Sequence, residues 1–391
     1  MIHVEKALQL VDNHLTKTET YTTIPLAQAL GCALAEDVIS PIHMPPFRQS
    51  AMDGYALGSV AETNFTLIGE VKAGDNANPE LHAGEAIRIF TGAPVPTGAK
   101  AVMMQEKTEK KENMLLLHEQ AKPDANIRPM GEQIKKGEVA LPKGTVITAA
   151  AVGYLATLGV IEVTVYQKPS IAIIATGNEL IAPGQPLQHG QIYESNSIML
   201  STALAKTGFT HVDFFKIEDE YETTLSVLDQ AITHYDVVVI SGGISVGDYD
   251  FVGKALRNLE VEEVFYKVKQ KPGKPLYFAK KQNTTIFALP GNPASSLSCF
   301  YVYVLPALHK ISGYSQPQLQ RSTVATNSAY TKKGERAEFL KALVTGDTVT
   351  LLDGQASSML SSFALANALI YLPNDVKEIH IGDPVQVIYL P

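Results

Sequence analysis

Three short apolar runs constrain this chain more than any other feature: Ile171–Ala175, Val237–Ile240 and Thr285–Leu289. The first two are rich in β-branched residues, and each of the three leads into a loop that contains glycine. Strands buried on both faces read as continuous apolar runs. Helical patterns at Ser197–Lys206, Thr223–Ile232 and Ala294–His309 lie between and after them. That alternation is the grammar of an α/β fold with a doubly wound parallel sheet, assigned here to residues 168–315. Ligands of such sheets bind outside the carboxyl ends of the strands. The loops Thr176-Gly177-Asn178-Glu179, Ser241-Gly242-Gly243-Ile244-Ser245-Val246-Gly247-Asp248 and Leu289-Pro290-Gly291-Asn292-Pro293-Ala294-Ser295-Ser296 are therefore expected to surround one crevice.

The content of these loops suits a phosphorylated ligand. Gly242 and Gly243 allow backbone N–H groups to turn toward an anion, and Ser245 adds a hydroxyl. Ser295 and Ser296 fall at a helix start, where free N–H groups and the helix dipole favour negative charge. Lys271-Pro272-Gly273-Lys274-Pro275 carries two ammonium groups on a stiff loop, with Lys267 just before it. Asp219, Asp248 and Asp250 offer the few carboxylates that a magnesium ion takes alongside phosphate oxygens. Each feature alone is commonplace: a Gly-Gly turn is usually a turn, and a serine at a helix start is usually a cap. Their placement on one sheet edge is what points to a phosphate-ligand site.

The rest of the chain divides around this unit. Residues 1–41 and 140–167 read as a discontinuous helical linker domain. It opens with Val4, Leu8, Val11 and Leu15 at helical spacing and continues with a weaker helical stretch around Leu26–Leu34. Within it, Val146–Val165 carries one charge, Glu162, and is long enough to span a bilayer. It changes period partway, however: Thr148 caps a helix that ends at Gly159, and Val160–Val165 reads as a strand. Residues 42–139, with runs such as Phe65–Val71 and Ala86–Phe90 broken by turn residues, read as an inserted β domain, and 316–391 as a second β domain. The N-terminus lacks the pattern of a signal peptide. Thirty-two basic against forty acidic side chains leave a net charge of −8, which argues against sequence-independent nucleic-acid binding. The only two cysteines, Cys32 and Cys299, form no ligand motif and fit a reducing cytoplasm.

Four segments together carry a resemblance over essentially the whole chain. They are Ser50-Ala51-Met52-Asp53-Gly54-Tyr55-Ala56, Thr91-Gly92-Ala93-Pro94-Val95-Pro96, the Ser241-Gly242-Gly243 loop and Leu289-Pro290-Gly291-Asn292-Pro293. With these the chain resembles the molybdopterin molybdenumtransferases, whose relatives include the E domain of gephyrin. The Ser-Gly-Gly loop is shared with shorter pterin adenylyltransferases, which lack the inserted and C-terminal domains. The resemblance implies a pterin-binding α/β domain, a barrel-like C-terminal domain, and a homodimer whose active site lies between one subunit's α/β domain and the other's β insertion. It implies insertion of molybdate into adenylylated molybdopterin with release of AMP.

Residue by residue, Asp219 and Asp250 match the magnesium-site acids, and Glu179, Lys267, Lys271, Pro290 and Pro293 match substrate-site positions. Asp53 and Thr91 would approach from the partner subunit, and Ser362 matches a serine near molybdate. The implied mechanism has magnesium on Asp219 and Asp250 polarise the pyrophosphate. Lys267, Lys271 and Lys274, with amides near Gly242 and Ser295, steady phosphate charge; Lys341 and Ser362 hold molybdate. Three places depart from the family pattern: Arg48-Gln49 replaces Asp-Asn, Gly131-Glu132-Gln133 replaces Gly-Glu-Asp, and Lys341 stands in place of arginine. Lysine keeps the charge without the bidentate fork. Transient contact with a molybdopterin adenylyltransferase and with molybdoenzyme maturation factors is also implied. Two alternatives stand beside the transferase: a pterin adenylyltransferase, and a gephyrin-like scaffold without catalysis.

Overall fold

The computed structural model describes residues 1–76, 78–244 and 251–391. Its central sheet has the strand order Val212–Ile217, Ile171–Thr176, Val237–Ser241, Thr284–Leu289, Tyr277–Lys281, Glu262–Tyr266. The first four strands are parallel neighbours, and the last two join by antiparallel pairing. The doubly wound sheet therefore carries a hairpin edge that the apolar runs did not announce. Strand alternation sends Ile171, Ile173, Val237, Val239, Phe287 and Leu289 to one face, under Leu200, Leu204, Phe300 and Leu308. Ala172, Ile174, Val238, Ile240, Ile286 and Ala288 face the other way, against Leu228, Ala231, Val252 and Leu256. Burial on both faces is why these strands read as unbroken apolar runs.

The opening helix, Val4–Asn13, buries Val4, Ala7 and Val11, and with Leu15 it joins the first of those two faces rather than the linker core. An amphipathic stripe announces an apolar face but not which core that face will meet. The helix grouped above with residues 1–41 thus shares its packing with the α/β unit.

The linker has its own core of Leu26, Leu34, Ile147, Leu155, Leu158, Val163 and Val165. Thr148 caps the helix Ala149–Thr157 by accepting from the Ala151 amide at 3.1 Å, and the strand Glu162–Tyr166 follows. Among the described residues no helix is long and apolar enough to cross a membrane. The helix expected over Leu26–Leu34 shrinks to one 3-10 turn, Leu26–Gln28. Ala33 and Leu34 are instead taken into bridges with Val146 and Val165, and Tyr21–Pro25 pairs with Glu162–Tyr166. These backbone groups find partners more than a hundred residues away, which outweighs weak local helix preference.

The insertion is a six-stranded sheet in the order Ala101–Met104, Gly54–Leu57, Glu85–Ile89, Asn64–Val71, Met114–Leu117, Thr108–Lys111. Gly54 is required by strand approach: a Cβ there would lie 1.9 Å from the Met103 carbonyl oxygen. The Asp53-Gly54 pair is therefore the entry to the strand Gly54–Leu57. In the C-terminal region, Ala337–Thr345, Thr348–Leu351, Arg321–Thr326, Pro384–Tyr389 and Ala368–Leu372 follow one another in the sheet, and the last pairs back to the first, closing a barrel. Gln270–Lys271 from the lysine-bearing loop adds to Ala337–Glu338, joining barrel and α/β unit through backbone pairing.

Candidate functional site

Strand order reverses between Ile171–Thr176 and Val237–Ser241, and a crevice of about 580 Å³ opens at their carboxyl ends. Glu179, Asp219, Gly242, Gly243, Pro290, Gly291, Asn292 and Pro293 all line it, so the three loops do converge. Pro275 contributes from the lysine loop and Ser358 from the barrel.

Asn196 holds the loops in register. Its Nδ2 donates to Ser241 Oγ at 2.8 Å and to the Gly291 carbonyl at 2.7 Å, tying the second and third loops to the helix that follows the first strand. Its Oδ1 and the Thr176 Oγ1 are buried without a hydrogen-bond partner among the described residues. Sequence reasoning missed Asn196. The only signal for it was its place at the start of the helix after the first loop, a position an asparagine often fills simply as a cap.

Gly243 sits at φ +63°, and a Cβ on it would lie 2.7 Å from both Thr176 Oγ1 and Val252 Cγ2. No side chain fits there. The Gly242 amide is already used, donating to Leu289 at 3.2 Å, whereas the Gly243 amide has no protein acceptor among the described residues. Of the two glycines, only Gly243 therefore has an amide free for an anion. Ser295 does not reach the crevice: it is buried, and its amide donates to the Ser357 carbonyl at 3.3 Å. Ser245 and Asp250 lie outside the described residues.

The lysines differ in what surrounds them. Lys271 Nζ is 3.3 Å from Glu338 Oε1, and the nearly buried Glu338 also accepts from Tyr330 Oη at 2.6 Å. Burial, then the bond to this carboxylate, pushes the Tyr330 phenol far up, so it remains a donor. Lys267 lies at φ +71° with its ammonium 4.5 Å from the Tyr266 ring centroid, a cation–π distance. Lys274 is exposed; its carbonyl accepts from the Val268 amide at 3.0 Å, and its ammonium has no partner among the described residues.

Three acidic residues, Glu179, Glu194 and Asp219, line the crevice; the Glu194 carboxylate accepts from the Ser197 amide at 2.9 Å, and the Asp219 amide is anchored by Asn178 Oδ1 at 3.0 Å. No cluster of three or more His, Cys, Asp or Glu side chains that could hold a metal occurs among the described residues.

Asp53 and Thr91 pair with each other on the insertion. Asp53 Oδ1 accepts from the Thr91 amide at 2.7 Å and from its hydroxyl at 2.8 Å. Those two bonds outweigh an opposing desolvation and, with a lesser contribution from Arg88, lower the carboxyl's pKa from its ordinary value. Neither residue lines the crevice of its own chain. Gln133 is exposed, and its amide donates to the Met44 carbonyl at 2.9 Å.

Lys341 and Ser362 both bond to the backbone of one loop. Lys341 is 2% exposed, and its ammonium donates to the carbonyls of Gly354, Met359 and Ala356 at 2.6, 2.9 and 3.4 Å. Burial holds its pKa below that of a free lysine. Ser362 Oγ donates to Gly354 and Met359 at 2.8 and 3.3 Å. Both side chains are occupied by the backbone of one loop, and neither lines the crevice.

Family models match along the chain: the MoeA N-terminal region (domains I and II) over residues 2–159, a probable molybdopterin binding domain over 172–310, and the MoeA C-terminal region (domain IV) over 323–390. A molybdopterin molybdenumtransferase 2 of Mycobacterium tuberculosis is 36% identical over 93% of this chain and 94% of its own length. The molybdopterin molybdenumtransferase of Haemophilus influenzae is 35% identical over 93% of this chain and 92% of its own. The crystal structure of the molybdopterin biosynthesis moeA protein from Pyrococcus horikoshii OT3 is 30% identical and superposes over all of both chains with a TM-score of 0.87. The chain belongs to the MoeA family.

Proposed function

We propose that the chain is a molybdopterin molybdenumtransferase, inserting molybdate into adenylylated molybdopterin and releasing AMP. The observation that carries this is the convergence of three glycine-bearing loops on one crevice at the sheet's switch point, in a chain that aligns nearly end to end with molybdenumtransferases.

The chain's own groups divide the task. The Gly243 amide receives phosphate oxygens at a turn where no side chain intrudes. Lys274 and Lys267, on and just before the loop whose Pro275 lines the crevice, would supply positive charge to the phosphates although the whole chain is acidic. Lys271 is oriented by Glu338, so its ammonium is held in place before ligand arrives. Asn196 and Pro290–Pro293 shape the floor. Asp219 on the crevice wall suits a hard divalent cation, which takes a few carboxylates and completes its shell with phosphate oxygens and water; Asp250 joins it in the proposal. Bound magnesium would polarise the pyrophosphate linkage and ease departure of AMP.

That Asp53 and Thr91 lie off their own chain's crevice supports a homodimer in which they complete the partner's site. A cytoplasmic enzyme receiving its substrate from a molybdopterin adenylyltransferase, and passing product to maturation factors, is the setting we propose.

The test is AMP release from adenylylated molybdopterin with magnesium, with and without molybdate. Molybdate-stimulated release that yields active cofactor is the expected result. Formation of adenylylated pterin from ATP and molybdopterin would make the chain an adenylyltransferase, and tight binding without turnover would make it a binding protein.

A further inference from the structure

The lysine-bearing loop, residues 267–276, is closed at its base by backbone. The Lys267 amide donates to the Leu276 carbonyl at 2.9 Å, and the Val268 amide to the Lys274 carbonyl at 3.0 Å. Its apex, residues 271–273, is held through the side chain of Gln270. Gln270 is 1% exposed and sits against Tyr303 and Cys299, both wholly buried. Its Nε2 donates to the Gly273 carbonyl at 3.2 Å and lies 3.5 Å from Cys299 Sγ, while its Oε1 accepts from the Tyr303 hydroxyl. The Gly273 carbonyl can only accept, which fixes the amide this way round. Gly273 sits at φ +86°, and a Cβ on it would lie 2.4 Å from Cys299 Sγ and 2.9 Å from Gln270 Nε2, so the backbone of the apex packs directly on this pair.

Cys299 and Tyr303 stand four apart on the helical run that starts at Pro293, so they present one side of it to Gln270. Burial holds the Tyr303 phenol well above its ordinary pKa, so it remains a donor, and pushes the Cys299 thiol up to about 12, so it too keeps its proton. Without the Gln270 side chain, the Tyr303 hydroxyl has no other acceptor among the described residues, and the Gly273 carbonyl keeps only the thiol, 3.8 Å away. A buried hydroxyl left without a partner costs its desolvation. The amide therefore joins two sides of the crevice. One is the loop that carries Lys271, Lys274 and the crevice-lining Pro275; the other is the helix whose first residue, Pro293, lines the crevice too.

We infer that Gln270 is a positioning residue: its side-chain amide, seated on Tyr303, holds the 271–275 loop against the helix that begins at Pro293, so that Lys271 and Lys274 are placed for the phosphates of the ligand before it binds. The inference rests on the transferase reading proposed above. It gives a role in ligand affinity to a buried amide that lines no part of the crevice itself.

The experiment uses the full chain with Gln270→Leu and Tyr303→Phe. Kd for adenylylated molybdopterin is measured by titration without molybdate, half-saturating molybdate is measured in turnover, and hydrogen exchange is followed across 271–276. Gln270→Leu should raise Kd for the pterin about fivefold, as loss of one neutral hydrogen bond does, with faster exchange in the loop and an unchanged molybdate requirement. Tyr303→Phe removes only the seat of the amide, so it should move Kd and exchange the same way and by less. A mere packing defect would weaken binding whatever side chains the loop carries. The deciding comparison therefore repeats Gln270→Leu in a Lys271→Met, Lys274→Met background, where no further rise in Kd is expected. Unchanged Kd and exchange in Gln270→Leu overturn the inference, as does an equal rise in the background without the two ammonium groups. If Gln270→Leu does not fold, native Kd and exchange in Tyr303→Phe overturn it instead. Absence of turnover in the native chain would sink the transferase reading, while the exchange comparison would still decide whether Gln270 holds the loop.

Discussion

At the scale of single residues, Asp53 is the group whose chemistry the structure defines most closely. The Thr91 amide is the larger cause of its lowered pKa and the Thr91 hydroxyl the second. The sign follows from linkage: a carboxyl whose folded pKa is depressed contributes stability above its unfolded pKa, and loses it as pH falls through the folded value. Asp53 thus stays ionised at pH values where an ordinary aspartate takes up a proton. Thr91→Val keeps the amide bond and removes the hydroxyl, so the Asp53 pKa should rise part of the way to its ordinary value. Titration followed by NMR of the carboxyl carbon checks this. No rise would assign the whole effect to the amide, and a complete return would mean that the amide is not a partner. Lys341 teaches the converse at this scale. A lysine can be read from sequence as a cation, but the carbonyls of Gly354, Ala356 and Met359 that occupy it belong to a loop whose path the sequence does not display.

At the scale of elements, legibility followed the range of the interactions. Ile171–Thr176, Val237–Ser241 and Thr284–Leu289 were readable because burial on both faces writes itself into consecutive residues. The convergence of their loops was readable because it follows from parallel strand direction. The strand Tyr21–Pro25 and the bridges at Ala33 and Leu34 were not, since their partners lie in 146–166 and no local window contains both sides. Asn196 escaped for the same reason: its bonds to Ser241 and Gly291 span 45 and 95 residues. The opening helix tests this distinction. Leu15→Ala, at a site 4% exposed in the core shared with Ile173 and Phe287, should cost about 3 kcal/mol. Its effect should appear as faster hydrogen exchange in Ile171–Thr176 and Thr284–Leu289, with Glu162–Tyr166 unaffected. Loosening of Glu162–Tyr166 alone would return the segment to the linker.

At the scale of the whole molecule, the two halves of the proposed site stand on different supports. Glu179, Asp219 and Gly243 are fixed by the α/β sheet and its helices, whereas Asp53 and Thr91 are fixed by the inserted sheet, where the Asp53 carboxylate is held by the Thr91 amide and hydroxyl. A crevice walled by the α/β unit and Ser358 of the barrel, and lacking the insertion's acid, is what a composite site looks like in a single chain. If a two-fold dimer brings the insertion of one subunit to the crevice of the other, the defects Asp53→Ala and Asp219→Ala fall in different sites when the variants are mixed. Each variant alone should be inactive. In a mixed dimer one site carries both lesions and the other carries neither, so random assortment after co-expression should restore about a quarter of native AMP release, the fraction a closed two-fold dimer dictates. Recovery to that level requires that Asp53 act across the interface. Complete absence of recovery in a preparation shown by tandem tags to contain mixed dimers would mean that Asp53 serves the crevice of its own chain, and the insertion would then have to close onto that crevice within one subunit.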